Sequence, residues 1–210
     1  MHFNENFTYH IFNRSNETIF KTRENYIYFL QKFRNYVLPY ADVLAWCLMP
    51  NHFHFMLSPN KEAVQYVPEK YLPNTQVLSK QFGTLLSSYT KAFNKQNNRK
   101  GSLFAHNTEA KELNEIIFVK DAKHFQSAKH LTTEYTTTCF KYIHLNPILG
   151  NLVDNIEDWE FSSYHDYANI RKGSLINKEL VLQIVNYDID DFKVWSLSEM
   201  NNPDLEEIFL

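Results

Sequence analysis

The sequence predicts an α+β fold of the ferredoxin-like, split βαβ type: an antiparallel sheet of four to five strands, helices on one face, and a C-terminal helical extension. Two observations support this prediction. The apolar pattern changes period in the order strand, helix, strand, strand, helix, strand, helix. Apolar residues make up 44% of the 210 residues, which is enough to bury a core, and only 2 Cys are present, which excludes a disulfide framework.

The first half of the chain contains four of the predicted elements. Alternating side chains predict a first strand over Phe7–Asn13. Apolar residues at helical spacing predict a helix over Lys21–Leu38, and Pro39 ends it. Two short apolar runs, Ala41–Leu48 and His52–Leu57, predict a pair of antiparallel strands separated by a short break.

The second half begins with a proline-containing loop and continues with three predicted elements. An apolar stripe predicts a helix over Thr75–Asn94. A strand is predicted over Ile116–Val119 and a helix over Thr133–Leu145. Pro147 is expected to end this last helix, because the residue before a proline disfavours the helical region.

The charged residues are distributed unevenly, although the net charge is only −3. Positions 70–108 contain six basic residues and no acidic ones, whereas the C-terminal segment is strongly acidic. On the second predicted helix, Lys80, Lys91 and Lys95 lie opposite the apolar stripe. This pattern fits a nucleic-acid surface, and it also fits an ordinary solvated helix face.

Two histidines alternate with two phenylalanines in the fourth predicted element. Side chains on a strand alternate between faces, so His52 and His54 share one face while Phe53 and Phe55 share the other. Two imidazoles side by side on a strand can form part of a metal site. The alternative is a pair of ordinary surface histidines. A metal would also need a third ligand from elsewhere in the chain.

A tyrosine and an asparagine stand four positions apart near the end of the last predicted helix. At this spacing Tyr142 and Asn146 share a helix face. The asparagine offers a carbonyl oxygen that suits Mg²⁺ or Mn²⁺, and the phenol can act as a covalent nucleophile. The alternative is a core tyrosine followed by an Asn-Pro pair that ends the helix.

Together these segments carry a family resemblance. Residues 48–54, Leu-Met-Pro-Asn-His-Phe-His, resemble the HUH metal motif of the single-strand-specific tyrosine transposases. Residues 142–147, Tyr-Ile-His-Leu-Asn-Pro, resemble the catalytic-tyrosine helix of the branch associated with repetitive extragenic palindromes. Weaker similarities occur at residues 9–14, 99–104 and 159–164. The resemblance covers about residues 5 to 168 in the same order.

The resemblance implies a catalytic domain over residues 1–168, followed by an acidic extension over residues 169–210. It implies that His52 and His54 bind a divalent metal, Mg²⁺ or Mn²⁺, with Asn146 as the third ligand. It also implies that Tyr142 attacks a DNA phosphate, leaving a 5′-phosphotyrosine link and a free 3′-hydroxyl. The expected activity is that of a single-stranded DNA endonuclease and strand transferase.

The partner implied by the resemblance is single-stranded DNA with hairpin or palindromic elements, bound by a monomer or a homodimer. No apolar run reaches 18 residues and no secretory signal is visible, so the expected location is the cytoplasm, or the nucleoid when DNA is bound. Two alternatives remain: a domesticated, non-cleaving DNA-binding protein of the same fold, and a replication-initiation nuclease of the HUH group. The residues expected to contact DNA phosphates are Arg14, Lys80, Lys91, Lys95, Arg99 and Lys100.

Overall fold

A computed structural model of the chain describes residues 1–68, 70, 73–113, 125–185 and 192–198, with only the backbone described over residues 125–134. The first two thirds contain, in order, a strand, a helix, two strands, a helix, a strand and a long helix, and short helices follow. The strands are β1 (Tyr9–Arg14), β2 (Ala41–Met49), β3 (His52–Pro59) and β4 (Glu109–Glu112). The helices are α1 (Arg23–Tyr36), α2 (Val77–Gln96), α3 (Phe125–Leu149), α4 (Tyr164–Tyr167), α5 (Lys178–Ile184) and α6 (Phe192–Leu197).

The four described strands form one antiparallel sheet in the order β2-β3-β1-β4. This order confirms the predicted α+β, split βαβ arrangement. The outer edge of β2 is covered by the segment that precedes α4. There the backbone N–H of Leu48 donates to the carbonyl of Phe161 at 2.9 Å, and that of Ser163 donates to Trp46 at 2.9 Å. A chain segment therefore protects an edge that would otherwise be open to pairing.

Helices α1 and α2 cover one face of the sheet, as predicted. Phe53 and Phe55 of β3 point to this face and are fully buried. Phe55 stacks on Phe33 of α1 with ring centroids 4.1 Å apart, and Phe82 of α2 belongs to the same core. Each such phenylalanine contributes roughly 1.5–3 kcal/mol by leaving water. This layer fixes which side chains of β3 remain on the opposite face.

Helix α3 lies on the opposite face of the sheet, so the helices do not all share one face as the sequence predicted. Strand β2 explains the difference, because it is buried from Val43 to Met49 without alternation and needs cover on both sides. A second core forms there, with Cys47 and Met49 packed against Phe140 of α3. The described part of the C-terminal extension adds Val181, Val185 and Phe192 to this core. The predicted domain boundary at 168/169 stays a prediction.

Two further local predictions have different outcomes. The prediction that Pro147 ends the helix is wrong, because α3 continues to Leu149. Pro147 has no N–H to donate to the preceding turn. The helix still continues past it, because the N–H of Gly150 donates to the carbonyl of Asn146 at 2.8 Å and completes the last turn. The strand predicted over Ile116–Val119 lies outside the described residues. Among the described helices, none is both long and apolar enough to cross a membrane.

Candidate active site

Strand β3 and helix α3 bring four predicted site residues together on the face of the sheet away from α1 and α2. The side-chain alternation of β3 places His52 and His54 on this face. Nε2 of His52 lies 3.3 Å from Oδ1 of Asn146 on α3. The ring of Tyr142, one turn earlier on α3, lies edge-on to His54 with centroids 5.5 Å apart. The predicted sharing of a helix face by Tyr142 and Asn146 therefore holds.

A third histidine, to which the sequence patterns assigned no role, completes the cluster. His10 of β1 is fully buried, and its Nε2 lies 2.9 Å from Nδ1 of His54. Its ring also lies edge-on to Tyr142, with centroids 6.1 Å apart. Alternation along β1 places His10 on one face, but only the pairing of β1 with β3 shows that this face adjoins His54.

The donors and acceptors around the histidines fit a bound cation. Nδ1 of His52 donates to Oδ1 of Asn51 at 2.7 Å, so Nε2 of the neutral ring carries a lone pair. The amide nitrogen of Asn146 donates to the carbonyl of Tyr142 at 3.3 Å, which turns its Oδ1 toward His52. Two acceptors therefore face each other. Nε2 of His54 is buried and has no hydrogen-bond partner among the described residues.

The amide oxygen suits Mn²⁺ or Mg²⁺, and imidazole nitrogens are common ligands of divalent transition metals, so the mixed set can hold a divalent cation. Within the described residues, no group of three His, Cys, Asp or Glu side chains is arranged to hold a metal. A third protein ligand beside His52 and His54 would therefore be of another type, and the amide oxygen of Asn146 lies 3.3 Å from Nε2 of His52. The predicted ligand set is compatible with this geometry.

The surroundings keep all three imidazoles neutral, which is the form that binds metals. Burial lowers the pKa of His54 well below its ordinary value, and the neighbouring His10 and His52 lower it further. Burial also lowers the pKa of His52, whereas the Asn146 amide acts in the opposite direction. Burial, followed by the charge of Lys111, lowers the pKa of His10 to about 3.

A cavity of about 500 Å³ opens beside the two motif histidines. Arg14 and Lys111 line it together with His52 and His54, and the carboxylate of Glu109 lines it as well. Arg14 was a predicted DNA contact, and the structure places it at this cavity. Lys111 was missed, because its approach depends on the pairing of β4 with β1. The two cations outnumber the one carboxylate beside the neutral imidazoles, so the lining favours an anionic group such as a phosphate.

The remaining predicted DNA contacts lie elsewhere. Lys80, Lys91 and Lys95 are exposed on α2, which packs on the other face of the sheet. Arg99 is paired with Glu17 and donates to the carbonyl of Ser102 at 2.7 Å, so it stabilises the turn after α2. The neighbouring Lys100 is exposed on that turn. The structure therefore brings Arg14 to the histidine cluster but not these five residues.

The tyrosine of the cluster is almost fully enclosed, with Tyr142 only 2% exposed. Helix α3, which carries Tyr142, is contacted by α6 and by Ser198, the residue that follows α6. Nζ of Lys141 donates to Oγ of Ser198 at 2.7 Å and lies 4.5 Å from the ring centre of Trp195. A phosphate in the cavity would come near His54, whose ring contacts Tyr142, but the phenol itself has little access to solvent in this conformation.

No protein-family model and no curated protein matches the chain. Among solved structures, the chain is similar to that of a REP-associated tyrosine transposase bound to a REP hairpin, with 13% sequence identity and a TM-score of 0.48. The similarity covers 90% of this chain and 87% of that one. At this level the similarity assigns no activity to the chain.

Proposed function

We propose that the chain is a metal-dependent, single-stranded DNA endonuclease and strand transferase that acts through Tyr142. The observation that carries the proposal is the meeting of His52, His54, Asn146 and Tyr142 on one face of the sheet. Asn146 is 94 positions from His52 in the sequence, and packing of α3 on the sheet brings the two together. The proposed partner is single-stranded DNA with hairpin or palindromic elements.

In this proposal, His52, His54 and Asn146 would hold Mg²⁺ or Mn²⁺. When bound, the metal would act as a Lewis acid toward the scissile phosphate. Arg14 and Lys111 would attract the DNA backbone to the cavity and position it there, since both line it. The buried, neutral histidines would bind the metal without first losing a proton.

The chemical step would be an exchange of phosphate esters. The phenolic oxygen of Tyr142 attacks phosphorus, the bond from phosphorus to the 3′-oxygen breaks, and the 3′-oxygen leaves as a hydroxyl after gaining one proton. The phenol loses one proton, so the step is balanced. One phosphodiester replaces another, and the strand can therefore be rejoined later. Because Tyr142 is 2% exposed, the step also requires the phenol to become accessible when DNA binds.

The test is trapping of a covalent protein–DNA adduct. End-labelled single-stranded hairpin oligonucleotides, carrying palindromes from the host genome, are incubated with the protein and Mn²⁺ and resolved on a denaturing gel. We expect a band that resists SDS in the wild type and is absent in Tyr142→Phe. Tyr135→Phe, on the same helix, is the matched control and should keep the band. An adduct that persists in Tyr142→Phe would contradict the nucleophile assignment.

The metal requirement is tested separately with the two motif histidines. His52→Ala and His54→Ala should each remove metal-dependent cleavage, because each takes away one proposed ligand. A gel shift with the same oligonucleotide checks that DNA binding remains. Cleavage by the wild type that continues unchanged in EDTA would contradict the metal role.

One observation favours a second function, that of a non-cleaving DNA-binding protein with the same fold. Tyr142 is almost fully buried, and the neighbouring Lys141 donates to Ser198 at the end of α6. Both observations fit a helix that serves packing rather than chemistry. This candidate predicts a gel shift with hairpin DNA and no covalent product at any metal concentration. The strand transferase predicts both the shift and the adduct.

A further inference from the structure

We propose that His10 is a positioning residue: it accepts a hydrogen bond from Nδ1–H of His54 and thereby leaves Nε2 of His54 unprotonated and able to bind the metal. This inference rests on the proposed function, because it assigns a role toward the metal site named there. His10 would touch neither the metal nor the DNA phosphate. It would act only through the protonation and orientation of His54.

The geometry is that of one buried hydrogen bond between neighbouring strands. Nε2 of His10 lies 2.9 Å from Nδ1 of His54, within normal hydrogen-bond distance. The ring planes differ by only 19°. His10 is 0% exposed and His54 is 1% exposed, so water does not compete for this contact. The bond therefore holds the His54 ring in a defined orientation on β3.

The direction of this bond decides what His54 can do. A neutral imidazole carries one N–H and one lone pair. If His10 donated the proton, Nδ1 of His54 would hold the lone pair and Nε2 would carry hydrogen, which excludes metal binding there. Each direction also leaves one further ring N–H in this buried pair, on Nε2 of His54 or on Nδ1 of His10, so it is the metal-binding role of His54 that selects between them. Binding of a metal at Nε2 requires donation from Nδ1–H of His54 to Nε2 of His10, which places the hydrogen of His10 on its Nδ1.

His52 shows the same arrangement at the neighbouring position of the motif. Its Nδ1 donates to Oδ1 of Asn51 at 2.7 Å, and its Nε2 faces Oδ1 of Asn146. Asn51 would thus do for His52 what His10 does for His54. Acceptors that fix the tautomer of metal-binding histidines are a general feature of such sites. Because Asn51 and His10 each accept from an Nδ1–H, the Nε2 atoms of His52 and His54 both keep a lone pair for a metal on the same face of the sheet.

A merely structural role for His10 makes different predictions. As a polar core residue, it could be replaced by an apolar side chain of similar size without any effect on His54 beyond packing. The variants His10→Leu and His10→Gln separate the two roles. Leucine removes the acceptor, whereas the amide oxygen of glutamine can occupy the position of Nε2 and accept the same proton. Phe12→Leu is the matched control, because Phe12 packs against both histidine rings without bonding to them.

The first readout is the tautomer of His54 in the metal-free protein, measured by nitrogen-15 NMR of the imidazole groups. We expect the proton of His54 to lie on Nδ1 in the wild type, in His10→Gln and in Phe12→Leu. A wild-type His54 protonated at Nε2 would overturn the proposal. Because this readout needs only the wild type, the proposal remains testable if His10→Leu does not fold.

The second readout is the affinity for Mn²⁺ alone, measured by titration calorimetry without DNA. Loss of such a supporting acceptor is expected to weaken binding by about 10- to 100-fold in His10→Leu. His10→Gln should recover most of this loss, and Phe12→Leu should bind as the wild type does. Equal affinity in His10→Leu and the wild type would overturn the proposal while leaving the Tyr142 chemistry intact. Conversely, the absence of a DNA adduct would contradict the proposed function without changing either readout here.

Discussion

Nε2 of His52 and Oδ1 of Asn146 face each other at 3.3 Å, and the hydrogen bonds around them leave both atoms as acceptors. Two acceptors at this distance need a cation between them or a proton on one of them. This relationship joins β3 to α3 at the point where the predicted ligands meet the predicted nucleophile.

The role of Asn146 as a ligand predicts different results for two substitutions. Asn146→Ala should weaken Mn²⁺ binding by more than about tenfold, because the third protein ligand is lost. Asn146→Asp should keep or strengthen binding, since it retains an oxygen in the same position and adds a negative charge. Titration calorimetry measures both. Equal weakening by the two substitutions would show that the amide N–H to the Tyr142 carbonyl matters more than the oxygen.

Arg14 is expected to contribute to DNA affinity through phosphate contacts at the cavity. Arg14→Gln should weaken binding of a single-stranded oligonucleotide and reduce the slope of affinity against salt by roughly one counterion. Arg23→Gln is the matched control, because Arg23 is exposed and paired with Glu160 away from the cavity. Fluorescence anisotropy at several salt concentrations measures the effect. Identical salt slopes for Arg14→Gln and Arg23→Gln would contradict a phosphate contact by Arg14.

Buried histidines should make the fold less stable as the pH falls below neutral. Burial lowers the pKa of His144 from 6.5 to about 3, so the unfolded chain binds a proton between these values and the folded chain does not. The free energy of unfolding should therefore fall with decreasing pH, by up to about 1.4 kcal/mol per pH unit for this residue. Urea unfolding in EDTA between pH 7 and 5 measures it. His144→Gln should flatten the dependence, and an unchanged slope in this variant would contradict the assignment.

The C-terminal extension is expected to stabilise the core that contains α3. Phe192 is 4% exposed and packs against Phe140 and Tyr167, so Phe192→Ala should cost about 3–5 kcal/mol. Val194→Ala is the control on the same helix, where Val194 is 64% exposed and the change should stay within about 0.5 kcal/mol. Urea unfolding of both variants distinguishes them. No loss in Phe192→Ala would indicate that the extension folds apart from α3.

Local periodicity predicted much of the sheet and of the site. The alternation of histidine and phenylalanine predicted correctly that Phe53 and Phe55 enter the core while His52 and His54 face the other way. The bounds of β1, β2, β3, α1 and α2 agree with their predictions to within about two residues. These features depend on neighbouring residues in the sequence.

Features that depend on distant pairing could not be predicted from the sequence. The approach of His10 to His54 follows from the register of β1 against β3, and that of Lys111 from the register of β4. The position of α3 on the second face follows from a β2 strand that is buried on both sides. The continuation of α3 past Pro147 depends on hydrogen bonds of the residues that follow it.

The central claim is that Tyr142 forms the covalent link to DNA beside the histidine cluster. The most direct measurement is mass spectrometry of the adduct, after protease and nuclease digestion, to locate the residue that carries the nucleotide. The account predicts a single modified peptide with the nucleotide phosphate on Tyr142. A nucleotide on any other residue would contradict it, as would a hairpin-bound protein with no modified peptide in the presence of Mn²⁺.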